Sequence, residues 1–305
     1  VHPPASFPGD PAFADVAWTD ATSAYGPLFT LATYPLAALP VGVAVYVLKA
    51  AMALAVLGIA VTVARLAPAR GVDPLQAAAF VALNPLVLVH AVGGPHNDAI
   101  AVLLTTLGVA GILSAREIGG GGALVAAVAV KASSGVTLPF ALLGAPQPPP
   151  TGRNVATEAT FRPVGRALVG FGVAIVAIGL MAYAAFGWDW LHSIGLAGEN
   201  QSRTSHMSIP LTAARLTGID PGPTRAVALA LFAILAIYLL AWTYRGGDWV
   251  RAAAWATTGL LLATSWLLPW YLLWSLPLAA LSRDRPLQLM LLGLTAYQLG
   301  ARIPL

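Results

Sequence analysis

Three short stretches of this chain carry chemically capable side chains in apolar surroundings. Gly93-Gly94-Pro95-His96-Asn97-Asp98 stands between two apolar runs. At a membrane boundary its imidazole and carboxylate can exchange a proton or hold a sugar hydroxyl, and ionisable groups at such depth default to a functional role. The plainer reading is a helix–helix turn in which Asn97 or Asp98 caps the next helix. The two readings are compatible. Lys131 interrupts the run Ala123–Val130 and is followed by Ala132-Ser133-Ser134-Gly135. Its ammonium can simply snorkel towards headgroups. Beside two hydroxyls and a glycine it also makes a phosphate site, because lysine acts on such groups as a point charge. Lys131, Ser133 and Ser134 are therefore the phosphate-binding candidates.

The third stretch is Ser265-Trp266-Leu267-Leu268-Pro269-Trp270-Tyr271-Leu272-Leu273-Trp274. An interfacial aromatic belt accounts for its rings without further assumption; the competing reading is a stacking wall for a sugar or headgroup. Alone, the stretch favours the belt. Two weaker candidates remain. Tyr25-Gly26-Pro27-Leu28 is preceded by Asp10, Asp15 and Asp20, and a polar loop around Glu199–His206 contains Arg203. Loop carboxylates and a solvated loop explain both equally well. There is no Walker loop, no GxGxxG opening a helix, no HExxH, no GxSxG and no Asp-x-Asp pair to hold a metal against a nucleotide-sugar pyrophosphate. A lipid-linked donor suits this inventory better than a nucleotide one, and no metal ligands are assigned.

The elements that position these residues follow from composition. Hydrophobic residues make up 58% of the 305 and charged residues 9%, whereas a soluble domain needs about a quarter charged. The expected fold is all-α: a polytopic transmembrane bundle with short broken helices. Cysteine is absent, which excludes disulfides and thiolate chemistry. The net charge of +4 is carried by short loops, which signals topology and argues against nucleic acid as a partner. Spans of about 20 apolar residues are expected at Leu36–Leu66, Leu75–Val92, Asp98–Ala115, Arg166–Phe186, Arg225–Tyr244 and Leu287–Arg302.

Ala123–Leu143 and Arg251–Leu281 are ambiguous. Read as pairs of short helices turning near Lys131 and Pro269, they place Arg65, Arg70, Arg116, Arg153, Arg162, Arg166, Arg245, Arg251, Arg283 and Arg285 on one side. Only Arg203, Arg215 and Arg225 fall on the other, so positive residues choose this arrangement. It gathers residues 1–30 as a first external loop, the Gly93–Asp98 turn, Lys131, a long external loop at 187–224 and the Trp270 turn on one outward face. Residues 144–165 read as a cytoplasmic linker. The chain opens at Val1 on a polar, Pro-rich stretch, and one or more preceding helices are expected.

In order and spacing, Ser23–Leu28, Asn84-Pro85-Leu86 leading to Gly93–Asp98, Lys131 in its Ala/Ser context and Pro269–Trp274 resemble the GT-C superfamily of integral-membrane glycosyltransferases. The chain is most similar to the actinobacterial polyprenol-phosphate-mannose-dependent α-1,6-mannopyranosyltransferases. The resemblance implies one glycosyltransferase domain over 1–305, in the plasma membrane, with its site on the extracytoplasmic face. It implies mannose transfer with inversion from polyprenyl-phosphate-mannose to a glycolipid or mannan acceptor of the lipomannan type, with no cofactor and the metal requirement left open. Lys131 then matches the leaving phosphate, and Tyr25, His96, Asn97, Arg203, Trp270 and Tyr271 the substrate walls. The family's usual catalytic carboxylate lies in the first external loop and is expected to precede Val1, leaving the piece inactive as cut; Asp20, Asp15 and Asp98 are the candidates within the chain. Relatives often carry His or Gln where this chain has Leu268. The rival readings are a GT-C enzyme moving another lipid-linked sugar, such as arabinofuranose, and a lipid or solute transporter.

Overall fold

The computed structural model describes the chain except residues 1, 11, 17–18, 21, 24, 145–161, 192–194, 196–202 and 301–305, and the side chains of 15 and 162–164. It is helical, with no strand among the described residues. The helices are α1 (Pro27–Thr33), α2 (Val41–Leu66), α3 (Pro74–Ala82), α4 (Asp98–Leu113), α5 (Glu117–Val130), α6 (Leu138–Leu143), α7 (Arg162–Phe186), α8 (Ile209–Thr217), α9 (Pro221–Tyr244), α10 (Trp249–Ala263), α11 (Leu276–Leu281) and α12 (Arg285–Gly300).

Three helical stretches are long and apolar enough to cross a membrane: Val41–Leu66, Gly165–Leu191 and Pro221–Tyr244. Their outer faces say what surrounds them. On α2, Met52, Val56, Ile59 and Val63 are buried at helical spacing, while Leu54 and Leu57 are 68% and 60% exposed. Val173 and Leu180 on α7, and Leu231, Ile234 and Ile237 on α9, are exposed likewise. A continuous apolar exterior of this extent is unfavourable against water and neutral against hydrocarbon. Within the bundle, threonines return their hydroxyl protons to the backbone one turn earlier, as Thr105 does to Ala101 and Thr258 to Ala254, so these hydroxyls are not left bare in apolar surroundings. The α4–α5–α7 layer is close-packed through glycine. A Cβ at Gly120 would lie 2.7 Å from the Gly108 carbonyl oxygen, and one at Gly170 2.1 Å from that of Ile118.

Both ambiguous stretches fold as broken pairs. Helix α5 stops at Val130, Lys131 is extended (φ −152°, ψ 120°), and a 3-10 turn over Ala132–Thr137 leads into α6. Helix α10 stops at Ala263, and a 3-10 turn over Pro269–Trp274 leads into α11. The two ends of the α10–α11 pair meet at one pole, where Arg70 bonds both Asp248 and the Leu281 carbonyl, and Gly144, past α6, packs there on the Trp249 ring. The expected Leu75–Val92 span is likewise broken. Pro85 cannot donate a hydrogen bond, so α3 ends at Ala82 and the chain resumes as a π-turn over Val87–Val92. The buried Asn84 bridges the gap, donating to Thr295 Oγ at 2.9 Å and accepting from the Leu86 N–H at 3.0 Å. The 187–224 segment contains α8, tied down by Ser205, whose N–H donates to the Ser265 carbonyl and whose hydroxyl donates to that of Leu267.

The two poles differ in chemistry. One carries Arg70 paired with Asp248, and Arg251 with Asp284 at 2.6 Å. Burial alone would raise the Asp284 carboxyl, but hydrogen bonds from Trp255, the Leu287 N–H and Arg251 outweigh it and hold it below the usual range. The other pole collects the three stretches singled out above.

Candidate active site

The ends of α4 and α5, the turn before α4 and the turn between α10 and α11 converge on one carboxylate. Asp98 opens α4 and is 1% exposed. Lys131, freed to extend where α5 ends, places Nζ 2.8 Å from Asp98 Oδ1 and 2.9 Å from Oδ2. The Trp274 indole N–H donates to Oδ1 at 2.5 Å. A buried carboxylate is tolerated only when its charge is paired and its lone pairs are filled, and here both conditions are met. Trp274 is itself fixed from below. The next residue, Ser275, is hydrogen-bonded through its hydroxyl to Thr258 Oγ at 2.5 Å and to the Ala254 carbonyl at 3.1 Å.

The lysine lies against an aromatic wall. Its Nζ is 4.6 Å from the Tyr271 ring centroid and 5.3 Å from that of Trp274, distances at which a ring face attracts a cation. Tyr271 stacks on Trp274 at 4.2 Å, and Trp270 meets Tyr271 edge-on at 6.0 Å. His96 stacks flat on Trp270, with centroids 3.5 Å apart and planes 12° apart. The turn that delivers His96 needs its glycines: a Cβ at Gly94 would lie 2.8 Å from the His96 ring, and one at Gly93 2.2 Å from the Val89 carbonyl oxygen. Burial lowers the His96 pKa from the ordinary 6.5; Lys131 and His90 push the same way and Asp98 opposes them. The net effect favours the neutral imidazole.

Asn97 occupies the helix N-cap position but does not cap. Its amide instead donates to the Val130 carbonyl at 2.9 Å, an oxygen that also accepts from the Gly26 N–H at 3.2 Å. The capping reading of Asn97 and Asp98 thus gives way, because each side chain satisfies a buried partner across the bundle. The Asn97 side-chain oxygen is buried without a partner. Gly26 brings α1 onto the end of α5, and Tyr25 beside it packs edge-on against Phe29 at 5.3 Å. Burial raises the Tyr25 phenol, and Asp98 adds to the shift. The arrangement offers a cation held by a carboxylate, flat ring faces beside it, and a neutral imidazole. Such a set can hold a phosphate and stack a sugar ring.

The family described as "Alpha-(1->6)-mannopyranosyltransferase, N-terminal domain" matches residues 10–146. The chain is also 32% identical over 289 residues to "Alpha-(1->6)-mannopyranosyltransferase A" of Mycobacterium tuberculosis, covering 86% of this chain and 53% of that protein. The chain resembles this family over most of its own length. The protein of the same description from Corynebacterium glutamicum is 30% identical over 128 residues, covering 40% of this chain and 26% of that relative. The chain spans about half the length of the first of these mannopyranosyltransferase relatives. No solved structure matches it. The matched N-terminal domain holds Tyr25, His96, Asn97, Asp98 and Lys131, while the aromatic wall lies C-terminal to it.

Of the residues singled out by sequence, Tyr25, His96, Asn97, Asp98, Lys131, Trp270 and Tyr271 come together. Ser133 and Ser134 follow Lys131 in the 3-10 turn, half-buried, with the Ser134 N–H donating to the Lys131 carbonyl. Arg203 has its guanidinium 6.0 Å from the ring centroid of Trp266, four residues before Trp270. Asp20 is exposed, its carboxylate accepting from Thr19 at 3.4 Å. The Asp15 side chain and Glu199–Ser202 lie outside the described residues, as do residues 145–161 of the expected cytoplasmic linker. No group of three or more His, Cys, Asp or Glu able to hold a metal occurs among the described residues. The rings of Trp270, Tyr271 and Trp274 engage one another, His96 and Lys131. Trp274 itself was visible only as part of its motif, and nothing local to it announces a bond to a residue 176 positions earlier.

Proposed function

We propose that this chain is the part of a membrane mannosyltransferase that grips a lipid-linked donor, and that the whole protein transfers mannose from polyprenyl-phosphate-mannose to a mannan acceptor, forming an α-1,6 linkage with inversion. The names of the relatives supply the sugar and linkage; the single observation that carries the reading is Lys131 held between Asp98 and an aromatic wall. In the reaction the acceptor hydroxyl oxygen bonds to the anomeric carbon, the bond from that carbon to the phosphate oxygen breaks, and polyprenyl phosphate departs. The hydroxyl proton passes to a carboxylate base. Lys131 carries one positive charge to the phosphate as it leaves, and a preorganised cation in a water-poor site acts most strongly on charge that develops there.

Asp98 serves in this scheme as the counter-ion that aims Lys131, because both its oxygens already accept from Lys131 and one also accepts from Trp274. The proton acceptor is then another carboxylate; Asp20 and Asp15, in the segment leading to Tyr25, are the candidates in this chain. Tyr271, Trp270 and His96 form the face on which the sugar stacks, and Arg203 borders it. The proposed setting is a multi-pass plasma-membrane protein with this pole outside and the arginine-rich pole in the cytoplasm, as the distribution of positive residues favours. The test is transfer by the reconstituted full-length protein with matched polyprenyl-phosphate donors. Turnover with mannose and none with arabinofuranose supports the reading, and the reverse replaces the sugar. Movement of the donor across vesicles without a new glycosidic bond would make the protein a transporter.

A further inference from the structure

At the pole away from the candidate active site, a cavity of about 480 Å³ opens between the start of α3 and the start of α12. Arg251, Arg283 and Arg285 line it, with Gln76 and Gln288 as further donors. Of its carboxylates, Asp284 is paired with Arg251, and Asp73 caps α3 by accepting the Gln76 N–H. Arg283 and Arg285 are exposed, and neither has a carboxylate within ion-pair distance among the described residues. Arg283 also holds a left-handed backbone (φ 55°), a conformation unusual for a residue with a Cβ. Its guanidinium lies over Gly71, where a Cβ would come 3.1 Å from Nη1. Three guanidiniums and two carboxylates thus line one cavity, which leaves it net positive, with Arg283 and Arg285 the guanidiniums outside any ion pair among the described residues.

The cavity does not end in polar surface. A second cavity of about 290 Å³ shares Val72, Gln76, Arg285 and Gln288 with it and continues along Ala77, Phe80, Leu289 and Leu292. Leu289 is 68% and Leu292 46% exposed. A cationic recess therefore opens into an apolar groove between α3 and α12, on the outside of a membrane bundle. That sequence of chemistry, positive head and then apolar channel, matches one class of molecule. We propose that this recess binds an anionic phospholipid, its phosphate on Arg283 and Arg285 and an acyl chain along Phe80, Leu289 and Leu292. Basic pockets between helix ends select anionic headgroups in this way, and the groove distinguishes a lipid from free phosphate.

The test uses the delipidated full-length protein, titrated separately with phosphatidylglycerol, phosphatidylcholine and glycerol phosphate, with binding read by native mass spectrometry. Phosphatidylglycerol should bind at least tenfold tighter than phosphatidylcholine. Glycerol phosphate, which has the charge without the chains, should bind far more weakly. At about fivefold per arginine, R283Q/R285Q should lose roughly 25-fold in phosphatidylglycerol affinity, while R283K/R285K keeps most of it. Arg116→Gln, an exposed arginine outside the cavity, should change nothing. Equal binding of the two phospholipids, or an R116Q loss equal to that of the double variant, would overturn the site. Glycerol phosphate binding as tightly as the lipid would make it a phosphate site instead and also overturn the proposal. Retained binding by R283K/R285K establishes that the altered positions still fold, so a loss confined to the glutamine variant reads charge.

Discussion

Lys131 Nζ sits between the two oxygens of the Asp98 carboxylate, 2.8 and 2.9 Å away, although 33 residues separate them in the chain. The relationship exists because α4 begins and α5 ends at the same pole. The first residue of one helix therefore meets the first residue beyond the other. It joins a buried carboxylate and a half-buried ammonium into one neutral pair whose ammonium still has a proton and an aromatic face to offer. The ion pair thus links the fold to the proposed chemistry.

Breaking the pair should separate its two roles. Lys131→Ala removes the cation for the phosphate and leaves Asp98 buried and unpaired, which costs about 3–5 kcal/mol of stability. Transfer in the full-length protein should fall by at least about 100-fold, as when one preorganised electrostatic group is lost. Lys131→Arg retains the charge and should recover much of the stability but less of the transfer, because the planar guanidinium cannot copy a point charge between two oxygens. Asp98→Asn should keep the shape and lose the counter-charge. Melting curves and donor kinetics on all three variants check this, and full transfer by Lys131→Ala would remove the phosphate role.

Trp274→Phe isolates the indole N–H. The ring stack on Tyr271 survives, while Asp98 loses a donor worth about 1.5–3 kcal/mol for a charged acceptor. If Asp98 aims Lys131, kcat/KM for the donor should fall roughly 10- to 100-fold, and Trp274→His, which restores a ring N–H, should recover part of it. A loss of stability with unchanged kinetics would restrict Trp274 to packing.

Much of this architecture is legible in the sequence. The low charge content and the arginine distribution point to a two-poled bundle, and the lysine in Ala123–Leu143 and the prolines in Arg251–Leu281 mark helices that break and turn back. The clustering of His96, Asp98 and Lys131 follows from that topology alone. The partners do not. Asp98 and Asn97 read as helix caps because capping is local, whereas their actual partners, Lys131 with Trp274 and the Val130 carbonyl, are chosen by long-range packing. Trp270 reads as an interfacial anchor, and the His96 ring stacked on it is a partner the sequence does not announce. Gly119–Gly122 falls outside the expected Ala123–Leu143 stretch, yet α5 begins at Glu117, and the Gly120–Gly108 approach shows why side chains are missing there. Helix α8 lies in what reads as loop, its Ser208 cap accepting from the Leu211 N–H.

The neutral His96 makes the site sensitive to acid. Burial lowers its pKa below the ordinary 6.5, so near and below that pH the unfolded chain takes up a proton that the folded chain refuses. The stabilisation is complete above about pH 6.5 and is lost as pH falls towards the folded value. The melting temperature should therefore decline between about pH 7 and pH 5. His96→Gln should flatten that decline, because the titrating group is gone. Parallel curves for the two proteins over this range would show that other groups govern the slope.

The last prediction concerns how the first helix reaches the site. Gly26 has an ordinary backbone conformation (φ −66°, ψ 159°), so alanine meets no torsional objection there. Its difficulty is spatial: a Cβ would lie 2.0 Å from the Ala129 carbonyl oxygen, and that backbone is part of α5 and cannot swing aside. Gly26→Ala must then push α1 off the end of α5, weakening the Gly26 hydrogen bond to Val130 and carrying Tyr25 away from Asp98. Overpacking of this kind costs roughly 1–3 kcal/mol. Gly9→Ala, with nothing within 4 Å of its added carbon, is the matched control and should melt as the parent does. If Gly26→Ala lowers both the melting temperature and donor affinity while Gly9→Ala lowers neither, α1 is part of the site. A variant that melts early yet binds donor normally would make α1 only a structural brace.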